Sequence, residues 1–210
     1  MRAGRASNLK SLFGYNEIGV GPPSAPGDEG THEEFMNSQD TRGFSLVEVL
    51  IVMAILSIVA AIAIPGLLRA RMTGNETSAI ASLRVTASSQ VAYTASCGNG
   101  GYASSYAVLG TPPAGVGEGF ISPDLGHAPP VVKSGYAYTL AAGLGSAAGA
   151  NDCNGTATIS SYLASASAQD FGTTGARQFV VNAGNTIWQS TTLVVPAEPL
   201  SASPTVTPIQ

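Results

Sequence analysis

The chain has 210 residues and a formal net charge of −4, from 13 acidic and 9 basic side chains. Acids and bases nearly balance beyond the N-terminal stretch, which gives no support to nucleic-acid binding or to a strongly charged partner. Charged residues make up only 10% of the chain, so the composition, rich in Ala, Gly, Ser and Thr, suits an extracytoplasmic protein that packs against copies of itself better than a heavily charged soluble enzyme.

Residues 1–43 read unlike a folded domain. Gly, Pro, Ser and acidic residues dominate from Gly19 to Glu34, with little periodic apolar pattern, and the segment is predicted to be removed as a leader. Starting at Met36 would shorten it to Met36-Asn-Ser-Gln-Asp-Thr-Arg-Gly43, a hydrophilic leader of ordinary size, and Met36 is the favoured start.

From Phe44 to Ile64 the chain is apolar except for Ser45, Glu48 and Ser57. A bilayer core takes about 20 apolar residues as helix, so 44–65 is predicted to span a membrane. A secretory signal peptide fits less well, because its apolar core is shorter, about 7–15 residues. Length alone would suit a plain signal anchor, but Glu48 needs a reason: a charge in such a segment costs roughly 2.5–3.5 kcal/mol and is usually functional and paired, and its natural partner is an amine. Gly43 lets a protease approach the backbone closely. Arg42 favours a cytoplasmic N-terminus by the positive-inside rule, whereas Arg69 and Arg71 beyond the run point the other way.

Gly43-Phe44-Ser45-Leu46-Val47-Glu48 resembles the cleavage and methylation motif of the type IV pilin and type II secretion pseudopilin superfamily, and the resemblance is specific from Gly43 to about Arg71. It implies that a membrane aspartyl peptidase, the prepilin peptidase, cuts after Gly43 and methylates the new amine of Phe44. It further implies that Glu48 neutralises the Phe44 amine of a neighbouring subunit during assembly, and Pro65 falls where pilins commonly carry a helix-bending proline. Ala54, Ser57 and Ala61 recur at helical spacing and would let neighbouring helices approach.

Beyond Pro65 and Gly66 the helical period resumes over 66–96. Ile80, Leu83, Ala87 and Val91 form an apolar stripe, with Glu76, Arg84, Ser88 and Ser89 mostly on the other side. A helix from Phe44 to about Ser96 would be roughly 75–80 Å long, its first half suited to lipid and its second to carrying a head. Pro65, Gly66 and Gly74 predict a bend or local melting between the halves.

Residues 97–194 read as a loop-rich head. Cys97 to Val132 is predicted to be a long surface connection with at most short elements. Strands are predicted at Tyr136–Leu140, Thr156–Leu163, Gln178–Asn182 and Thr186–Gln189, the last after a Gly184-Asn185 turn. Their apolar face, Tyr138, Leu140, Ile159, Leu163, Phe179, Val181 and Ile187, would pack on the helical stripe, giving an α+β, pilin-like fold. Gly175-Ala-Arg177-Gln-Phe179 loosely resembles the run that leads into the C-terminal hairpin of some pilin-like proteins. The Pro-rich tail, 195–210, is predicted to be mobile.

Cys97 and Cys153 would pair in an oxidising compartment; two free thiols or a weak metal pair are the alternatives. No catalytic centre is predicted: His32 lies in the leader, His127 reads as a solvated loop residue, and no acid, His or nucleophile cluster is present. No metal or other cofactor is expected.

The reading is therefore a structural subunit, not an enzyme, of a type IV pilus-like filament. The resemblance implies an inner-membrane precursor with its N-terminus cytoplasmic and its head outside. Its partners would be membrane lipid before assembly, the peptidase, an inner-membrane assembly platform and copies of itself, followed by residence in a surface pilus or a periplasmic pseudopilus. The alternative is a pseudopilin of a type II secretion system or a minor pilin. The major-pseudopilin reading is less favoured because Asp152 and Asp170 are the only carboxylates between Pro130 and Pro196, few for calcium.

Overall fold

The computed structural model describes residues 43 to 209; the predicted leader except Gly43, with its two possible starts, lies outside the described residues. One long helix, α1 (Leu46–Ser96, 51 residues), carries an antiparallel sheet against its second half. This is the α+β arrangement expected from the sequence.

The helix runs unbroken through Pro65, so among the described residues the melting expected there does not occur. Proline in a helix interior costs about 3 kcal/mol, but the penalty is local. Several helical turns on either side hold the backbone, and a break in an apolar setting would expose further unpaired peptide groups.

The head-bearing half of α1 buries Glu76, Ala79, Ser82, Leu83, Thr86, Ala87, Ser89, Gln90 and Tyr93. The predicted stripe is thus rotated by a fraction of a turn. Leu83 and Ala87 are buried and Ile80 packs at the margin, but Val91 is half exposed, while Glu76 and Ser89, assigned to the outer face, are inside. Polar side chains cause the rotation. Gln90 gives Nε2 to the Ala103 carbonyl and accepts the Ala103 N–H on Oε1, both at 2.9 Å, and Ser89 donates to the Phe120 carbonyl at 2.8 Å. These bonds satisfy loop backbone that would otherwise be buried unpaired.

For the same reason the segment after Cys97 is more than a surface connection. It contains a short helix, α2 (Tyr106–Gly110), and sends Ala103, Tyr106, Leu109, Ile121 and Leu125 into the core. Glycine and proline mark its turns, but the aromatic and aliphatic residues between them pack against α1.

The main sheet has the order β1-β2-β5-β6-β7-β8, antiparallel throughout. Its strands are β1 (Val131–Lys133), β2 (Tyr136–Ala142), β5 (Tyr162–Ala168), β6 (Gln178–Asn182), β7 (Ile187–Ser190) and β8 (Val206–Ile209). β1 and β2 are joined by Ser134 and Gly135, both at positive φ (49° and 71°), the two-residue hairpin geometry that matches strand twist. Asn185 (φ 57°) serves the predicted turn before β7.

The predicted strand at Thr156–Leu163 is two strands in two sheets. β4 (Ala157–Ile159) pairs with β3 (Ala148–Asn151), and β5 begins at Tyr162 after a bend at Ser160–Ser161. There Ser160 N–H bonds the Ala147 carbonyl and the Ser161 carbonyl accepts Gly143 N–H. The shift changes the inward set on β5 to Tyr162, Ala164 and Ala166, leaving Leu163 on the other side; a one-residue slip in a strand exchanges its faces. Tyr138, Leu140, Phe179, Val181 and Ile187 are buried as predicted.

The C-terminal tail also differs from its prediction. β8 pairs with β7 at the sheet edge, where Pro208 can be accommodated. Glu198 bridges Asn182 Nδ2 (2.8 Å) and the Leu144 N–H (2.5 Å), fastening the segment that leads to it.

Candidate functional site: the N-terminal stem and its junction with the head

Gly43 and Phe44 precede α1 without regular secondary structure and are exposed, and Ser45 is the N-cap. Ser45 makes no side-chain cap bond, so the first turn keeps free N–H groups, and Glu48 in that turn sits where a helix dipole favours negative charge. Glu48 is exposed, and no cation pairs with it among the described residues. Glu48 follows Phe44 by four positions in the sequence.

From Leu46 to Leu68 every residue of α1 is exposed, and the segment is long and apolar enough to cross a membrane. Ala54, Ser57 and Ala61 stay on this bare surface. Ser57 returns its hydroxyl to the Met53 carbonyl at 2.7 Å, which hides the group from an apolar medium. Pro65 lies within the same segment. What these residues do together is present an unpartnered apolar rod with one acid near its tip.

The rod meets the head at a junction that sequence reading missed. Glu76, 6% exposed, accepts the Ala176 N–H on Oε1 (2.8 Å) and Arg177 Nε and Nη2 on Oε2 (2.9 and 2.6 Å). Arg177 also gives Nη1 to Gln189 Oε1 at 2.8 Å and lies over the Phe179 ring, 5.5 Å from its centroid. Asn75 adds a bond to the Thr174 carbonyl at 2.9 Å. The β5–β6 loop is thus tied to the helix just past the membrane-length segment. Gly175 belongs here because a Cβ would collide with the Tyr136 phenol, which itself donates to the Arg177 carbonyl at 2.9 Å. The sequence offered the Gly175-Ala-Arg177 run as a hint; its acid partner lies 101 positions away.

At the far end of α1, Cys97 and Cys153 are bonded to each other, resolving the alternatives left open by the sequence. The Cys153 N–H also bonds the Cys97 carbonyl at 2.9 Å. Beside this link Tyr93 gives its hydroxyl to Asp152 Oδ2 at 2.7 Å; burial, then Asp152, push the phenol well above its ordinary value. Burial raises Tyr106 and Tyr136 similarly and lifts Tyr162 to about 12. Asp124 moves the opposite way, held low first by the Lys133 ammonium and then by the Ser122 hydroxyl.

The family model for the prokaryotic N-terminal methylation motif matches residues 39–64, covering Gly43, Phe44, Glu48 and most of the apolar rod. At its N-terminus the chain is therefore similar to proteins that carry this methylation motif. It is also similar to the type IV wide pilus major component PilA4 of Thermus thermophilus, 41% identical over 71 residues, which are 34% of this chain and 53% of that protein. The chain thus spans about half the length of the curated relative it matches. No solved structure matches it. The pilin motif and the bare rod coincide, while the head, where the junction and the disulfide lie, is outside the family match.

Proposed function

We propose that the chain is a structural subunit of a type IV pilus-like filament, without catalytic activity of its own. The precursor is held in the inner membrane by 44–65 with its head outside, and prepilin peptidase cuts after Gly43 and methylates the amine of Phe44. Subunits then leave lipid for the filament by packing their apolar rods together, with Glu48 of one meeting the Phe44 amine of the next. The observation that carries this reading is the rod itself: an apolar segment of membrane length, bare of contacts with its own head, begins directly at the methylation motif. Such a surface is stable only in lipid or against other copies.

Mass spectrometry of the N-terminal peptide from filaments sheared off cells tests it. A methylated peptide starting at Phe44 in abundant sheared fibres is the expected result. The same peptide confined to the membrane fraction would move the assignment to a pseudopilin or minor pilin, and an intact Gly43-Phe44 bond would overturn it.

A further inference from the structure

Two Asn-X-Thr sequences lie in the described chain, Asn75-Glu76-Thr77 and Asn154-Gly155-Thr156. This is the acceptor pattern for N-linked sugar, and assembly uses neither as such. The structure separates them. Asn75 is half buried inside α1 and spends its Nδ2 on the Thr174 carbonyl at 2.9 Å. The Thr77 hydroxyl is turned back onto the Thr73 carbonyl at 2.9 Å. Gly135 closes the space in front: a Cβ there would stand 3.3 Å from Asn75 Nδ2. A sugar on Asn75 would break the junction and have no room.

Asn154 has the opposite surroundings. It lies in the turn between β3 and β4, and Cys153, Asn154, Gly155 and Thr156 are all exposed. The turn is built beneath them by Asp152, whose Oδ1 accepts the N–H groups of Asn154 (2.9 Å) and Thr156 (2.6 Å) while Oδ2 takes the Tyr93 hydroxyl. Gly155 supplies the positive φ of 82° that the turn needs, and the disulfide at Cys153 ties it to α1. The backbone N–H groups of both acceptor residues are thereby satisfied by Asp152, while the residues themselves stay exposed. The Asn154 amide makes one exposed contact, 3.3 Å to the Pro112 carbonyl, longer than the ordinary N–H···O bond of about 2.9–3.0 Å, so little holds it from a visiting enzyme.

We propose that Asn154 is an N-glycosylation site, modified by a transferase that takes its sugar from a lipid-pyrophosphate-linked oligosaccharide. In that transfer Asn154 Nδ2 forms a bond to the anomeric carbon as the carbon–oxygen bond to pyrophosphate breaks. The lipid pyrophosphate leaves with the electron pair, and one amide proton passes to the transferase; the Thr156 hydroxyl is the second recognised group. The proposal rests on the filament reading only in placing the head outside the cytoplasm, where such transfer and the disulfide both occur.

The test is peptide mass spectrometry of the full chain purified from its native cells, following the N-terminal, Asn75 and Asn154 peptides together. Sugar is expected on Asn154 and not on Asn75. It should fall below detection in Asn154→Gln and Thr156→Ala and persist in Thr156→Ser, with the peptide at Phe44 unchanged in all three. Bare Asn154 in chains that begin at Phe44 would overturn the site and leave the filament reading intact, and so would sugar surviving Asn154→Gln. Sugar on Asn154 of chains with an uncut Gly43-Phe44 bond would uphold the site and overturn the processing reading instead.

Discussion

The first half of α1, Leu46 to Leu68, and its second half, Met72 to Ser96, share one backbone and differ in everything they touch. The first half is apolar on all sides and buries nothing against its own chain. The second half is held by named polar bonds: Glu76 to Arg177, Thr86 to Tyr106 (3.2 Å), Gln90 to Ala103 and Tyr93 to Asp152. An all-round apolar helix has no preferred rotation against a partner and can slide from lipid into a bundle of copies. A helix fixed by directional bonds cannot slide, so the head travels with it as one piece. On the proposed function, assembly would rest on the lower half and stability on the upper, and substitutions should separate the two.

The largest expected effect is Glu48→Ala. It removes the acid from the tip of the rod, touches no part of the head, and should reduce filaments at least tenfold while membrane insertion and the thermal midpoint of the head stay unchanged. Counting filaments by electron microscopy beside a melting curve reads both; normal filament numbers would remove Glu48 from assembly.

Next is loss of the disulfide. Cys97 and Cys153 are 56 positions apart, and closing a loop of that size is worth about 4 kcal/mol in the chain-entropy description. Cys97→Ser with Cys153→Ser should lower head stability by about that amount in denaturant titration, with the lower half of α1 indifferent. A loss under about 1 kcal/mol would mean that the Cys153 to Cys97 backbone bond and the Tyr93–Asp152 contact hold that end without the disulfide.

The junction comes third. Glu76→Ala leaves the Arg177 guanidinium and the Ala176 N–H without their acceptor, a loss of about 3 kcal/mol for a largely buried pair. Glu76→Gln keeps one carbonyl oxygen for Ala176 but not the charge, and should recover roughly half of that. The two variants together show whether the charge or the backbone bond fastens the β5–β6 loop; equal losses would assign the effect to the charge alone.

The same contrast explains what the sequence made legible. The rod and its motif are local: glycine, acid and apolar run sit within one stretch, so the methylation motif and the long apolar helix could be read directly. β2, β6 and β7 were legible because their β-formers alternate or cluster between turn residues. The rotation of the upper helix was not, because it depends on Gln90 and Ser89 meeting carbonyls in a loop whose path the helix pattern does not encode. Glu76 was placed outside for a related reason, since an acid at helical spacing belongs on the solvent face unless a distant Arg177 comes to it. Ser160 and Ser161 hid a corner inside what looked like one β-rich run. β8 was hidden by its prolines, which mark an edge strand and a loose tail equally well.

The smallest effect should come from Asp124, at the rim of the head. Lys133 Nζ lies 2.7 Å from its Oδ2, but both side chains are substantially exposed, so solvent screening limits the pair to roughly 0.2–1 kcal/mol. Its carboxyl is held below the ordinary value, chiefly by Lys133 and then by Ser122. The folded chain therefore binds this proton less readily than the unfolded chain, so the contribution is complete above the unfolded carboxylate value near 4 and is lost as pH falls through the lower folded value. Asp124→Asn should cost a few tenths of a kcal/mol at pH 7, and the difference from the parent should shrink as pH falls below about 4 and weaken in high salt. If the variant instead loses several kcal/mol at every pH, Asp124 holds the Ser122 loop against α1 by packing, and the rim of the head is as firmly built as its junction.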